Sequence, residues 1–123
     1  MPRLMAVSLT EDQVRARTKT VTRRAGWRHL RAGERVTLCR KVMGRRPGEP
    51  LVRIADVEIL DVRRERLDAI TTEDVAAEGF PEMTVAEFID FFCRTHSGCH
   101  PDSEVTRIAW RYLDTRTDKE PRP

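Results

Sequence analysis

The hydrophobic positions of this chain change period several times along its length, and each change predicts an element. Leu4 to Ser8 is a brief apolar run of the kind that opens a sheet, and Thr10-Glu11-Asp12-Gln13 reads as a helix start, with Thr10 as cap and Gln13 three places on. That helix is short and ends near Thr18. Thr20, Val21 and Thr22 then favour strand, so Lys19 to Arg24 reads as the start of one. After a turn at Gly33-Glu34, Arg35 to Val42 alternates, with Val36, Leu38 and Arg40 on one side and Thr37, Cys39 and Lys41 on the other. Gly44 to Pro50 is a turn-rich loop. Leu51 to Val62 resumes as a long strand whose apolar parity changes between Ile54 and Val57, which predicts a bulge or bend such as a closing barrel requires.

The second half opens with helical signals. Thr71 to Asp74 caps a helix running through Ala77, and Glu78-Gly79 stops it, Gly79 being free to turn left-handed. Thr84 to Arg94 is a further helix whose Val85, Phe88, Ile89 and Phe92 share one face, a spacing that marks core. Glu104 to Leu113 returns to alternation, with Val105, Ile108 or Trp110, and Tyr112 directed inward. Thr115 to Pro123 lacks apolar anchors and is expected to be disordered. The pattern predicts an α+β fold, a small barrel with appended helices, occupying residues 1–114 with a tail over 115–123.

Composition narrows the class. A chain of 123 residues makes one domain, and 35% charged with 39% hydrophobic residues is an ordinary water-soluble balance. No run is apolar for long enough to cross a bilayer, and Met1-Pro2-Arg3 does not lead into a secretory signal core, so a cytoplasmic, monomeric protein with no membrane contact is expected. Three cysteines argue against a full disulfide framework and suit a reducing compartment. A net charge of +3, with both signs interspersed, permits contact with phosphate without demanding it.

Candidate chemistry gathers in Lys19-Thr20-Val21-Thr22-Arg23-Arg24, which places an amine, two hydroxyls and two guanidinium groups in six residues. Only Lys19, Lys41 and Lys119 are lysine among 23 basic residues, so a lysine stands out where arginine is the habit. Burial can lower the pKa of an amine far enough to make it a base, which it cannot do for a guanidinium. A threonine hydroxyl becomes a nucleophile only with such a base in reach. Lys19 and Thr22, three residues apart, face opposite sides of a regular strand, so their pairing requires Lys19 to precede the strand on the turn leaving the first helix. Arg24 would hold a carbonyl or phosphate oxygen, and Glu78, if buried, would protonate a leaving amine. The alternative is a solvated lysine beside strand threonines.

The Lys19-Thr20-x-Thr22-x-Arg24 signature, the Gly33-Glu34 turn, the Glu78-Gly79-Phe80 helix end, the Phe88 helix and the final Val105-to-Tyr112 strand resemble, in that order, the ASCH domain of the PUA-like superfamily. The resemblance covers nearly everything from Leu4 to Leu113 and extends to the small stand-alone ASCH proteins of bacteriophages and prophages. It implies a twisted β-barrel with flanking helices around a cleft that recognises RNA or modified nucleosides. One ASCH enzyme type is an amidohydrolase that removes the acetyl group from N(4)-acetylcytidine. Its lysine proton acceptor, threonine nucleophile and glutamate proton donor fall by motif position on Lys19, Thr22 and Glu78, with Glu73 the other match for the glutamate. Arg23 stands where an aliphatic residue is more usual, and Glu34 where the turn commonly carries aspartate. No cofactor is implied.

A binding module would use the same cleft without chemistry. Thr20, Arg23, Arg24, Arg28, Arg31, Arg45 and Arg46 would then rim a site for a nucleoside or for single-stranded RNA or DNA, or would merely be solvated surface. Trp27 either stacks on a base or covers the barrel end. Cys93, His96, Cys99 and His100 form a tight Cys-x-x-His-x-x-Cys-His cluster of zinc-binding residue types, against which stands a packed helix-end cysteine with solvent-facing histidines. A Cys93–Cys99 disulfide is disfavoured in a reducing compartment. His29 stands alone and reads as surface.

Overall fold

The computed structural model describes residues 3–113, so the disorder expected of 115–123 lies outside the described residues. Five strands form one sheet: β1 (Arg3–Ala6), β2 (Val21–Arg24), β3 (Arg35–Cys39), β4 (Arg53–Arg66) and β5 (Glu104–Tyr112). Their order is β1-β3-β4-β5-β2, with β1 and β3 parallel and every other pair antiparallel. Three helices flank the sheet: α1 (Glu11–Arg15), α2 (Thr72–Ala77) and α3 (Val85–Thr95).

The expected bend in β4 is present, and it has a companion. Leu38 pairs with Ala55 and Cys39 with Arg53, so Ile54 is passed over; Ile59 pairs with Trp110 and Asp61 with Ala109, so Leu60 is passed over. Each unpaired residue bends the strand and raises its twist. The 14-residue β4 thereby wraps along both β3 and β5 and curls the sheet into a half-barrel. The two edges approach where the Arg24 Nη2 donates to the Ala6 carbonyl at 2.8 Å, a side chain bridging β2 to β1.

Several strand limits differ from the sequence reading, two of them by three residues or more. β3 stops at Cys39 and not at Val42, while β4 runs on through Arg63-Arg64-Glu65-Arg66. That charged run lies beyond the apolar pattern that set the limit at Val62, yet it pairs with Arg107 through Glu104, so its backbone groups are satisfied. Ion pairs such as Arg63 with Glu65 occupy its side chains.

The helix caps follow the residues that announced them. Thr71 Oγ1 accepts from the Asp74 N–H at 3.1 Å, and Thr84 with Glu87 forms a complete capping box. Thr10 holds the cap position of α1, but its side chain makes no capping bond and is buried instead. α1 also ends earlier than expected, because Arg17 turns left-handed and the Thr18 and Lys19 N–H groups both return to the Gln13 carbonyl.

Two apolar clusters hold these parts together. Met5, Val36, Leu38, Val57, Ile59 and Trp110 fill the hollow of the curled sheet. Phe88 and Phe92 of α3 pack with Leu67, Ile70, Val75 and Val105 beneath the helices, as the α3 stripe predicted. Burying each such side chain contributes about 1.5–3 kcal/mol. The site lies at the seam between the two clusters.

Candidate functional site

Lys19 occupies the connection between α1 and β2, before the strand proper, as its pairing with a strand residue would require. Its backbone is fixed from the far strand: the Lys19 carbonyl accepts from Trp110 Nε1 at 3.1 Å and from the Tyr112 hydroxyl at 2.5 Å. Thr20 continues the tie, its N–H donating to the Ala77 carbonyl and its carbonyl accepting from the Trp110 N–H. The lysine side chain then runs inward to the C-terminal end of α2. There its Nζ donates to the Glu78 carbonyl at 2.9 Å and to Glu78 Oε1 at 3.0 Å.

Glu78 is held from the other side as well. Its Oε2 accepts from Arg23 Nη1 at 3.0 Å, so both carboxylate oxygens are engaged by cations. Gly79 makes this end of α2 possible, with φ +111° and its carbonyl accepting from Gln13 Nε2. A Cβ there would come within 2.8 Å of Gln13 Cγ, so α1 and α2 touch at this point by virtue of the missing side chain.

Lys19, Arg23 and Glu78 are 2–3% exposed, which makes their charges mutually dependent. Burial pushes the Lys19 ammonium below its usual pKa, Glu78 pulls it back, and the Arg24 and Arg23 charges push it down further. Burial also lowers the Arg24 guanidinium, whose bonds go to Thr22 Oγ1 at 3.3 Å and to the Ala6 carbonyl and not to a carboxylate. Arg23 carries the larger load. Its Nη2 donates to Glu65 at 2.7 Å and to Asp74 at 2.6 Å, and although burial opposes it, these partners with Glu78 raise its pKa. Asp74 is shared with Arg107, so a chain of ion pairs runs from Lys19 across the sheet to Asp61. The Arg23 Nε is buried without a partner among the described residues.

A cavity of about 90 Å³ opens beside this cluster. Lys19, Arg23, Arg24 and Glu78 form its charged side, the Val7-to-Thr10 turn one flank, and Phe80, Phe88, Phe91, Phe92 and His96 its aromatic wall. The phenylalanines pack with ring centroids 5.2–6.3 Å apart, and the His96 ring lies flat on Phe92 at 3.8 Å.

The structure therefore gathers Lys19, Arg23, Arg24 and Glu78, with Thr20 alongside through its backbone. Thr22 is buried on β2 and bonded to Arg24, and no hydrogen bond joins it to Lys19. Glu73, the other match for the glutamate, is exposed in the first turn of α2. Arg23, expected on a phosphate-binding rim, has a fully buried side chain engaged by three carboxylates. Trp27 packs on the sheet cluster beneath the Arg3 guanidinium and does not line the cavity. Arg28 and Arg31 are exposed elsewhere, and Arg45 and Arg46 belong to an exposed loop beside Glu49. Of the Cys/His cluster, His96 turns to Phe92 and into the cavity wall, and among the described residues no group of three or more metal-ligating side chains gathers.

Glu65, Asp74, Arg107 and the aromatic wall went unread in the sequence. Phe91 offered a signal, since Phe88, Phe91 and Phe92 make an apolar face wider than one core contact needs. The carboxylates offered none, lying 42 and 51 residues from Arg23.

The curled mixed sheet with helices over one end is an α+β fold similar to that of a solved ASCH domain. Among solved structures, an ASCH domain from Lactobacillus crispatus matches with a TM-score of 0.60 at 14% identity, over 89% of this chain and 79% of that one. A protein from Enterococcus faecalis of the family DUF984 matches with a TM-score of 0.65 at 13% identity, over 92% of this chain and 80% of that one. At these identities the likeness is one of fold. No family model matches the sequence, and no curated protein does. No helix of the described residues is long and apolar enough to cross a membrane.

Proposed function

We propose that the cavity receives one nucleobase, free, as a nucleoside, or within single-stranded RNA or DNA. The observation that carries this reading is the facing of an aromatic wall and a buried Lys19–Glu78 pair across one small space. A planar ring with polar edges needs both: phenylalanine and imidazole against its face, donors and an acceptor at its rim. At about 90 Å³ the space admits a single ring and leaves sugar and phosphate outside, far below what a drug-sized ligand fills. Arg24, which has no carboxylate partner of its own in the hydrogen bonds it makes, is the donor most free to meet a carbonyl oxygen of the base.

Binding is tested by titrating the protein with nucleosides and short single-stranded oligonucleotides. Phe91→Ala is expected to weaken binding roughly 5- to 150-fold, the range of about 1–3 kcal/mol for one stacked base. Unchanged affinity would remove the wall from recognition.

A second reading is hydrolysis of an N-acylated nucleoside such as N(4)-acetylcytidine, favoured by the burial that depresses the Lys19 ammonium. Neutral Lys19 would accept the Thr22 hydroxyl proton as its oxygen attacks the acyl carbon. The C–N bond would then break as the proton taken up by Lys19 passes through Glu78 Oε1, 3.0 Å away, to the departing amine, and water would hydrolyse the acyl–Thr22 ester and restore the hydroxyl. Thr22 must first leave Arg24 for this to occur. Incubation with N(4)-acetylcytidine, followed by chromatography beside a Lys19→Arg variant, separates the two readings. Equal rates would take the lysine out of the mechanism, and no release with measurable oligonucleotide affinity would leave a reader of bases.

A further inference from the structure

With His96 turned into the cavity wall, the two cysteines of the Cys/His cluster remain as a pair, with His100 beside them. Cys93 near the end of α3 and Cys99 on the following loop are free thiols with sulfurs 4.0 Å apart. Both are half-buried and line a second, open cavity of about 450 Å³ beside Ile89, His100 and Pro101. Cys39 stands apart, fully buried on β3. We infer that Cys93 and Cys99 are a reversible oxidation site, closing to a disulfide under hydroperoxide and clamping the loop that carries His96.

A disulfide needs sulfurs about 2.0 Å apart, so the pair must close by roughly 2 Å, beside an open cavity that leaves the two side chains room to turn. Gly98 at φ +77° and the Cys99 N–H donating to the His96 carbonyl already fold the loop back on the helix. Burial, with the Cys99 thiol adding to it, pushes the Cys93 thiol up and leaves little of it as thiolate, and oxidation takes two steps. In the first, Cys99 sulfur attacks a peroxide oxygen, the O–O bond breaks, and sulfenic acid and an alcohol or water result. In the second, Cys93 sulfur attacks the sulfenyl sulfur, the S–S bond forms, and hydroxide leaves with the thiol proton as water. A glutathione-poised compartment returns the pair to thiols.

His96 lies inside the ring so closed, between the two cysteines. Its imidazole is stacked on Phe92 in the cavity wall, so oxidation fixes the wall whatever ligand the cavity takes.

The test uses the full reduced chain exposed to a small excess of hydrogen peroxide. Two of the three thiols should disappear with a mass loss of two hydrogens, and dithiothreitol should restore both. Cleavage after Arg94 separates the cysteines, so the bond appears as two linked peptides. Cys93→Ser should abolish the link and leave Cys99 trapped as sulfenic acid, with an unchanged circular dichroism spectrum confirming the fold. Amide exchange over residues 95–100 should slow several-fold on oxidation. Oxygen addition without loss of hydrogens, a link to Cys39, or a link between two chains would overturn the site. A bond without slowed exchange would overturn the clamp.

Discussion

Replacing Asp74 by asparagine tests the electrostatic account of the buried cluster. Asp74 Oδ2 accepts from Arg107 Nε at 2.7 Å and Arg23 Nη2 at 2.6 Å, and Oδ1 accepts from Arg107 Nη2 at 3.0 Å. Its side chain is 15% exposed. The bond from Arg107, then that from Arg23, hold the carboxyl at about 2 against an ordinary 3.8, with burial working the other way. A lowering of nearly two units, at about 1.4 kcal/mol each, corresponds to about 2–3 kcal/mol of stability. The unfolded carboxyl takes its proton first as pH falls. The contribution is therefore complete above the unfolded value and is lost as pH drops through the folded one, with roughly half gone by about pH 3. Urea unfolding of wild type and Asp74→Asn from neutral pH downward should show a gap of about 2–3 kcal/mol that narrows by about half at pH 3. A gap that does not change with pH would refute the charge argument and assign the loss to packing.

Glu78→Gln removes the shared countercharge of buried Lys19 and Arg23 and should cost about 3–5 kcal/mol in urea unfolding. Lys19→Met should cost less, because Glu78 keeps Arg23; equal losses would count against that ordering. Since burial holds the Lys19 pKa below 10.5, the folded chain gives up this proton before the unfolded one does. Wild-type stability from this group should rise with pH between the folded value and 10.5, and Lys19→Met should flatten that alkaline limb. Gly79→Ala forces a side chain onto a φ of +111° and against Gln13, and should lower stability by about 1–3 kcal/mol in a thermal melt. A more stable variant would contradict the contact between α1 and α2.

Local rules carried much of the fold in the sequence. The Thr71 and Thr84 caps, the Gly79 stop and the Phe88–Phe92 face each depend on residues within one or two helical turns, and each lies where its spacing placed it. β2 starts at Val21, two residues later than the reading of Lys19 to Arg24 as strand, which leaves Lys19 on the turn that a pairing with Thr22 would require. Arg63 to Arg66 and Arg23 misled for a common reason. Arginine in sequence reads as water-facing, and only pairing with β5 in one case, or three distant carboxylates in the other, shows what covers it. His96 was misplaced because a Cys/His spacing says which residues are near in sequence, while a stacked Phe92 decided where the ring points.

The place of β5 in the sheet has a consequence for how the protein is made. Among the described residues, β2 has no strand partner except β5, and the Lys19 carbonyl is gripped only by Trp110 and Tyr112. During synthesis, about ninety residues must leave the ribosome after Lys19 before its carbonyl can meet these two donors. A nascent chain halted short of Trp110 therefore carries every charge of the site without the strand that fixes the Lys19 backbone.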